Sequence, residues 1–371
     1  MNLHTWLGEQ AAQRERDGLV RSLTTHTGDH DVIDLAGNDY LGLCRDPRVT
    51  AAAADAAVRW GAGASASRLV TGTLPVHTAL ESTLAARLGH EAALVHSTGY
   101  HANLSAVTAL SDRDTLLVSD AHVHASLVDA CRLSRGTLAV VAHNDLAQVE
   151  ARLAERTQAR ALVLVESIYS VLGDAAPLTE LVGLCERYDA TLVVDEAHGV
   201  GVAGDGGGLV RELGLGGRPS VIVTMTLSKA LGSQGGAVLG SQAVIDHLVN
   251  RSRSFIYDTG LAPAAAAAAL EALRVMDVEP ERVARLHHVA ATLADAAGVQ
   301  RVAGAVLSVE MPGPVEALAA QAECGASGVR VGCFRPPSTP DGISRLRLTA
   351  SAGVSEDELT LAGKLIGTVV A

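Results

Sequence analysis

A chain of 371 residues with 48% hydrophobic but only 2% aromatic residues has to build its core from Ala, Val and Leu, which suits alanine-rich helices around short Val/Leu strands. Its net charge of −12, with no block of like charges, excludes nucleic acid as a partner, because neutralising phosphates needs clustered Lys and Arg. No apolar run approaches the roughly 18–20 residues of a membrane span, and the five scattered cysteines without a C-x-x-C pair, behind an N-terminus lacking a signal pattern, lead us to expect reduced thiols and a cytoplasmic location.

In chain order, residues 1–45 read as an amphipathic helix followed by "IDLAGNDYLGL", an N-terminal arm. From about Ala51 to Ala237, short apolar runs alternate with helical patterns. The runs are "ALVHS" (93–97), "TLLVSD" (115–120), "TLAVVAH" (137–143), "ALVLVES" (161–167), "TLVVDEAH" (191–198) and "SVIVTMT" (220–226). This alternation predicts βαβ units, and so an α/β fold with a mostly parallel central sheet covered by helices on both faces. Ligands of such sheets gather beyond the carboxyl ends of the strands, where Glu166, Asp195, His198 and Lys229 all fall. Past Phe255 comes an alanine-rich helix opening at "LAPAAAAAAL". The strand "AVLSVEM" (305–311), another helix and "VRVGCFRPPSTPDGISRLRLTA" follow. The expected division is arm 1–45, large domain 46–255, and small α+β domain 256–371 with a short antiparallel sheet.

The chemistry centres on "VVDEAHG" and "TMTLSKALGSQGG". Asp195 and Glu196 are adjacent, so on an extended chain they point opposite ways. Asp195 ends an apolar strand, where a carboxylate is costly unless it meets a cation. His198 comes after the turn and can face the same site. A helicase reading of "DEAH" needs a phosphate loop, and a hydrolase reading needs a G-x-S-x-G elbow; the chain has neither. Zinc could use His122 and His124, or His287 and His288, but the first pair alternates along an extended chain and lacks a nearby third ligand, so no metal is expected. Lys229 lies among small neutral residues, where desolvation lowers a lysine pKa and frees its amine. A lysine, an aspartate and a histidine at neighbouring strand ends suit pyridoxal phosphate. The lysine attacks the aldehyde, the aspartate keeps the pyridine nitrogen protonated, and the histidine holds the phenolic oxygen. For the phosphate, "HSTGYHANLSAV" offers small residues leading into a helix start, with hydroxyls from Thr226 and Ser228.

These and other motifs are shared along nearly the whole chain with one family. They include "NDYLGL" (38–43), "GAGASASRLVTGTLPVHTALE" (61–81), "STGYHANL" (97–104), "HASLVDACRLSR" (124–135), "AHND" (142–145), "DEAHGVG" (195–201), "TLSKALGSQGG" (226–236), "FIYDTGLAP" (255–263) and "VGCFRPPSTPDGISRLRLTA" (331–350). The chain resembles the α-oxoamine synthases, fold-type I pyridoxal phosphate enzymes that condense an amino acid with an acyl thioester. Within them it is most similar to the actinobacterial members of biotin biosynthesis, which join L-alanine to a pimeloyl thioester. Glycine-using relatives (2-amino-3-ketobutyrate CoA ligase and 5-aminolevulinate synthase) share nearly every cofactor residue. A non-catalytic protein that keeps the fold is a further alternative.

The resemblance implies a role for each matched residue. Lys229 forms the Schiff base and moves the proton at the substrate Cα. Asp195 pairs with the pyridine nitrogen, His198 with the phenolic oxygen, and His124 stacks on the ring face. Gly99 and Tyr100 give backbone N–H groups to the phosphate, and Thr226 a hydroxyl. Ser170 lies near the ring, and Thr259 reaches the phosphate of the neighbouring subunit, the site being built across a homodimer interface. Asn38 and an arginine hold the substrate carboxylate. Arg345 and Arg347 share one strand face, so spacing does not choose between them; the resemblance favours Arg347. Two departures stand out. Leu172 replaces a usual acid before Gly173, and His101 replaces a usual small residue and is expected to point to solvent.

Overall fold

The computed structural model describes residues 1–26 and 32–370. Eleven strands occur among them: β1 Ile33–Leu35, β2 Ala92–His96, β3 Thr115–Asp120, β4 Thr137–Val141, β5 Arg160–Glu166, β6 Thr191–Asp195, β7 Val221–Thr226, β8 Gly236–Gly240, β9 Val306–Glu310, β10 Val329–Phe334 and β11 Arg345–Thr349. Seven form the large sheet in the order β2-β8-β7-β6-β5-β3-β4. β7, β6, β5, β3 and β4 run parallel, while β8 is antiparallel to both β7 and β2. Helices cover both faces of this sheet, which is why β3, β6 and β7 are buried almost throughout and read as unbroken apolar runs.

The sequence patterns place six strands of this sheet to within three residues. They miss β8, whose "GAVLG" is short and glycine-flanked. Helix starts follow local chemistry. Asp46 caps the helix Pro47–Trp60 with proline at its first position, Ser241 caps Gln242–Arg251, and Ser355 with Glu358 forms a capping box on Glu356–Val369.

The second sheet has the order β1-β10-β11-β9. β9, β11 and β10 pair antiparallel, as the sequence suggests, but β1 from the N-terminal arm adds a parallel edge through Ile33–Val329 and Leu35–Val331. The "IDL" of β1 is too short to signal a strand by itself. The alanine-rich helix Pro263–Val278 packs against Pro47–Trp60 and Pro75–Leu88, burying Ala266, Ala268, Ala269 and Ala272. Small side chains let these helices approach closely. The first helix, Leu3–Arg16, buries none of its residues, and Leu3, Trp6 and Leu7 are exposed. Among the described residues, no helix is long and apolar enough to cross a membrane.

Candidate active site

Parallel pairing brings three strand ends into one row. Glu166 of β5 is in register with Asp195 of β6, and Asp195 with Thr224 of β7. Beyond this row lies a cleft of about 230 Å³, whose walls include His124, Glu166, Asp195, His198, Thr226 and Lys229. The nitrogen of Lys229 is 2.7 Å from His198 Nε2, and His198 Nδ1 is 2.5 Å from the hydroxyl of Tyr40. The Tyr40 oxygen also lies 3.3 Å from Asn38 Oδ1. Asp195 accepts from the Ala197 N–H at 2.9 Å and from the Asn103 amide at 2.7 Å. The same amide group of Asn103 donates to Ser126 Oγ at 2.8 Å, while its carbonyl accepts from Thr224 Oγ1 at 2.6 Å. Asn103 therefore spends its hydrogen-bonding capacity on fixing Asp195 between strand and helix.

Burial governs the charges. It brings the Lys229 ammonium down to about 8, against the opposing pull of Asp195 and Glu166. It holds His198 well below the ordinary histidine value, helped by Lys229 and Arg347. Glu166 is pushed up to about 8, first by burial and then by Asp195. His124 is lowered by burial; it caps the helix Ala125–Ser134, its Nδ1 accepting the Ser126 N–H at 3.2 Å.

At the β2 side, Thr98 caps the helix Gly99–Leu110, so the free N–H groups of its first turn open onto the cleft. Thr226 Oγ1 accepts from the Ser228 N–H and donates to the Gly235 carbonyl. The backbones here are close: a Cβ on Gly99 would stand 2.9 Å from Thr226 Cβ, and one on Gly236 would stand 2.5 Å from Gly99. Only glycine permits both approaches. Tyr100 is exposed, its hydroxyl donating to Asp129.

Arg347 and Arg345 separate clearly. The Arg345 guanidinium is tied to Asp341 and Glu310. Arg347 instead points inward, donating to the Ser170 carbonyl at 3.0 Å and to Asn38 Oδ1 at 3.1 Å, with Phe334 against its face. Ser170 does not line the cleft but donates its N–H to Glu166 at 2.9 Å. Thr259 is exposed and lies outside the cleft, in a groove with Arg68, His96 and Asp258. His101 is not simply turned to solvent: Ser97 Oγ and Asp258 hold its Nδ1 at 2.7 and 3.2 Å. Tyr40 and Asn103 are the residues that sequence reasoning missed. Asn103 lies four positions after Gly99 on the same helix, a spacing that places it over the cleft.

This set fits pyridoxal phosphate. A partly neutral lysine, a fixed carboxylate, a neutral histidine and an open helix start with adjacent hydroxyls converge within one cleft, and the buried Glu166 Oε1 has no partner. The pattern of the family "Aminotransferase class I and II" matches residues 30–365. An 8-amino-7-oxononanoate synthase of Mycolicibacterium vanbaalenii is 54% identical over 98% of this chain and 97% of its own length. The chain belongs to the 8-amino-7-oxononanoate synthase family. A further member, from Mycolicibacterium smegmatis, is 52% identical over 99% of this chain and 96% of its own. Among solved structures, a serine palmitoyltransferase of S. paucimobilis with a bound PLP–myriocin aldimine superposes with a TM-score of 0.93, covering 100% of this chain and 98% of that one at 27% identity. The architecture is that of a fold-type I pyridoxal phosphate transferase.

Proposed function

We propose that the protein condenses L-alanine with a pimeloyl thioester, as the CoA or carrier-protein ester, to give 8-amino-7-oxononanoate, carbon dioxide and the free thiol, using pyridoxal phosphate. The observation that carries this reading is the convergence of Lys229, Asp195 and His198 on one cleft in a member of this family. When bound, the cofactor supplies an electron sink that makes the amino-acid Cα–H acidic.

The protein's own groups do the rest. Lys229, with its amine partly free at neutral pH, anchors the cofactor and then moves the proton at the substrate Cα. Asp195, held by Asn103, accepts the ring N–H. His198 gives its Nε2–H to the phenolic oxygen, provided Nδ1 is unprotonated and accepts from Tyr40. The helix start at Gly99–Tyr100, with Thr226, receives the phosphate, and His124 covers the ring. Arg347 and Asn38 grip the substrate carboxylate, the guanidinium being suited to a bidentate hold. Ser170 sets the position of Arg347 through its carbonyl.

Thr259 serves the cleft of a second copy in a homodimer; its exposure and its distance from the cleft of its own chain support that role. Residues 1–45, 46–255 and 256–371 act as arm, large and small parts, with the helix Pro263–Val278 packed on the large one. The test is the Lys229→Ala variant reconstituted with pyridoxal phosphate. It should lose the visible absorbance band of the lysine-linked cofactor, and an unchanged spectrum would refute the assignment.

A further inference from the structure

Four acidic side chains are buried at the strand ends of the large sheet, and three of them are fully used: Asp120 accepts from the His122 and Asn144 N–H groups and pairs with His143. Asp195 accepts from Asn103 and Ala197. Glu196, 1% exposed, accepts from the Ser167 hydroxyl at 2.5 Å and the Val210 N–H at 2.6 Å. Glu166 is equally buried at 1% exposed, yet Oε2 takes the Ser170 N–H at 2.9 Å, the His124 N–H is the other backbone donor facing the carboxyl, and Oε1 has no partner within hydrogen-bond distance. It is part of the cleft wall.

Among the described residues, no cation forms an ion pair with Glu166. The Lys229 nitrogen is on His198, and the Arg347 guanidinium is on Ser170, Asn38 and Thr349. The charged and titratable groups around it are Asp195, Lys229, Arg347, Tyr40 and His124. A buried ionised carboxylate with only backbone N–H donors, one of its oxygens unmet, beside a second carboxylate, is a costly arrangement, whereas a protonated one needs only an acceptor. Burial and Asp195 push its pKa in that direction. A buried polar atom left without a partner at the wall of a binding cleft is a place to expect a ligand atom.

We propose that Glu166 is a further ligand-binding residue: as a neutral carboxylic acid it donates its Oε1–H to an oxygen of the ligand in the cleft, on the cofactor ring or on the amino-acid carboxylate. This rests on the functional reading above. It gives the cleft a proton-bearing donor without adding a positive charge beside Lys229, so the lysine amine stays partly free.

The test uses the full chain as wild type, Glu166→Gln and Glu166→Ala, first stripped of pyridoxal phosphate and then titrated with it, without and with L-alanine. The glutamine amide replaces the O–H donor; alanine does not. If the acceptor is on the cofactor, E166A weakens cofactor binding by about tenfold and E166Q by less than about threefold. If it is the substrate carboxylate, cofactor binding is unchanged, and the half-saturating alanine concentration of E166A rises by the same factor. E166Q as damaged as E166A would overturn the proposal, as would an E166A that shifts neither titration. Should E166A fail to fold, the infrared difference between reconstituted wild type and E166Q at neutral pH decides. A carboxylic-acid carbonyl band lost in the variant is expected, and its absence overturns the proposal. A wild type that takes up no cofactor overturns the functional reading itself, together with the ligand invoked here; a wild type that binds it beside an unaffected E166A overturns only this inference.

Discussion

Replacing Tyr40 by Phe removes one oxygen from the site and nothing else. Tyr40 is completely buried, and its hydroxyl lies 2.5 Å from His198 Nδ1 and 3.3 Å from Asn38 Oδ1. The phenyl ring keeps the packing, so the change leaves the buried Nδ1 without its partner. An unmet buried group costs about 1–2 kcal/mol, which is about 5- to 30-fold in an equilibrium constant. The loss should appear mainly in cofactor binding. Without the Tyr40 hydroxyl donating to it, Nδ1 is free to carry the proton, and Nε2 then has no hydrogen to offer the phenolic oxygen. The assay is a titration of the stripped protein with pyridoxal phosphate, followed by absorbance, beside a thermal melt of both proteins. Binding within twofold of wild type would refute the claim that Tyr40 sets the histidine tautomer. Equal losses in binding and in the stability of the stripped protein would reduce Tyr40 to a packing residue.

Asn103→Leu should cost about 3 kcal/mol of stability, since it breaks a hydrogen bond to a buried carboxylate and leaves the Ser126 and Thr224 hydroxyls short of a partner; denaturant unfolding measures it. Arg347→Lys should raise the KM for the amino acid by at least about tenfold, and Arg345→Lys should leave it nearly unchanged, because Arg345 is held by Asp341 and Glu310. Cofactor capture by the stripped protein should quicken as pH rises from 7 to 9, with a midpoint near the Lys229 value of about 8, because only the free amine attacks; a flat stopped-flow profile would contradict this. His143 is raised to about 9 by Asp120 and Asp174, which outweigh its burial. A folded value above the unfolded one means stability fully present below about pH 6.5 and lost as pH passes 9, so the stability gap between wild type and His143→Gln should shrink over that window.

Much of the cofactor cleft is legible in the sequence because it sits where apolar runs stop. Asp195 and Lys229 are polar interruptions at the ends of buried strands, and a parallel sheet brings such ends together whatever the intervening lengths. Arg345 and Arg347 show the limit of that logic. Alternation puts both on one face, and only the position of Asp341 across a turn, together with Asn38 from the far end of the chain, decides which of them is free to point inward. Tyr40 and Asn103 escape notice for a related reason: each looks like an ordinary core or helix residue until its long-range partner is known. β8 opens and closes on glycine and β1 has only three residues, so neither carries a clear strand signal, and both owe their pairing to neighbours that the local sequence does not specify.

The most direct test of the account is release of free thiol by the reconstituted protein, with L-alanine, glycine and L-serine crossed against pimeloyl, succinyl and acetyl thioesters. The account predicts the fastest release with L-alanine and the pimeloyl thioester, accompanied by carbon dioxide and abolished in Lys229→Ala. Fastest release with glycine and a succinyl or acetyl thioester, or release that survives the loss of Lys229, would contradict it.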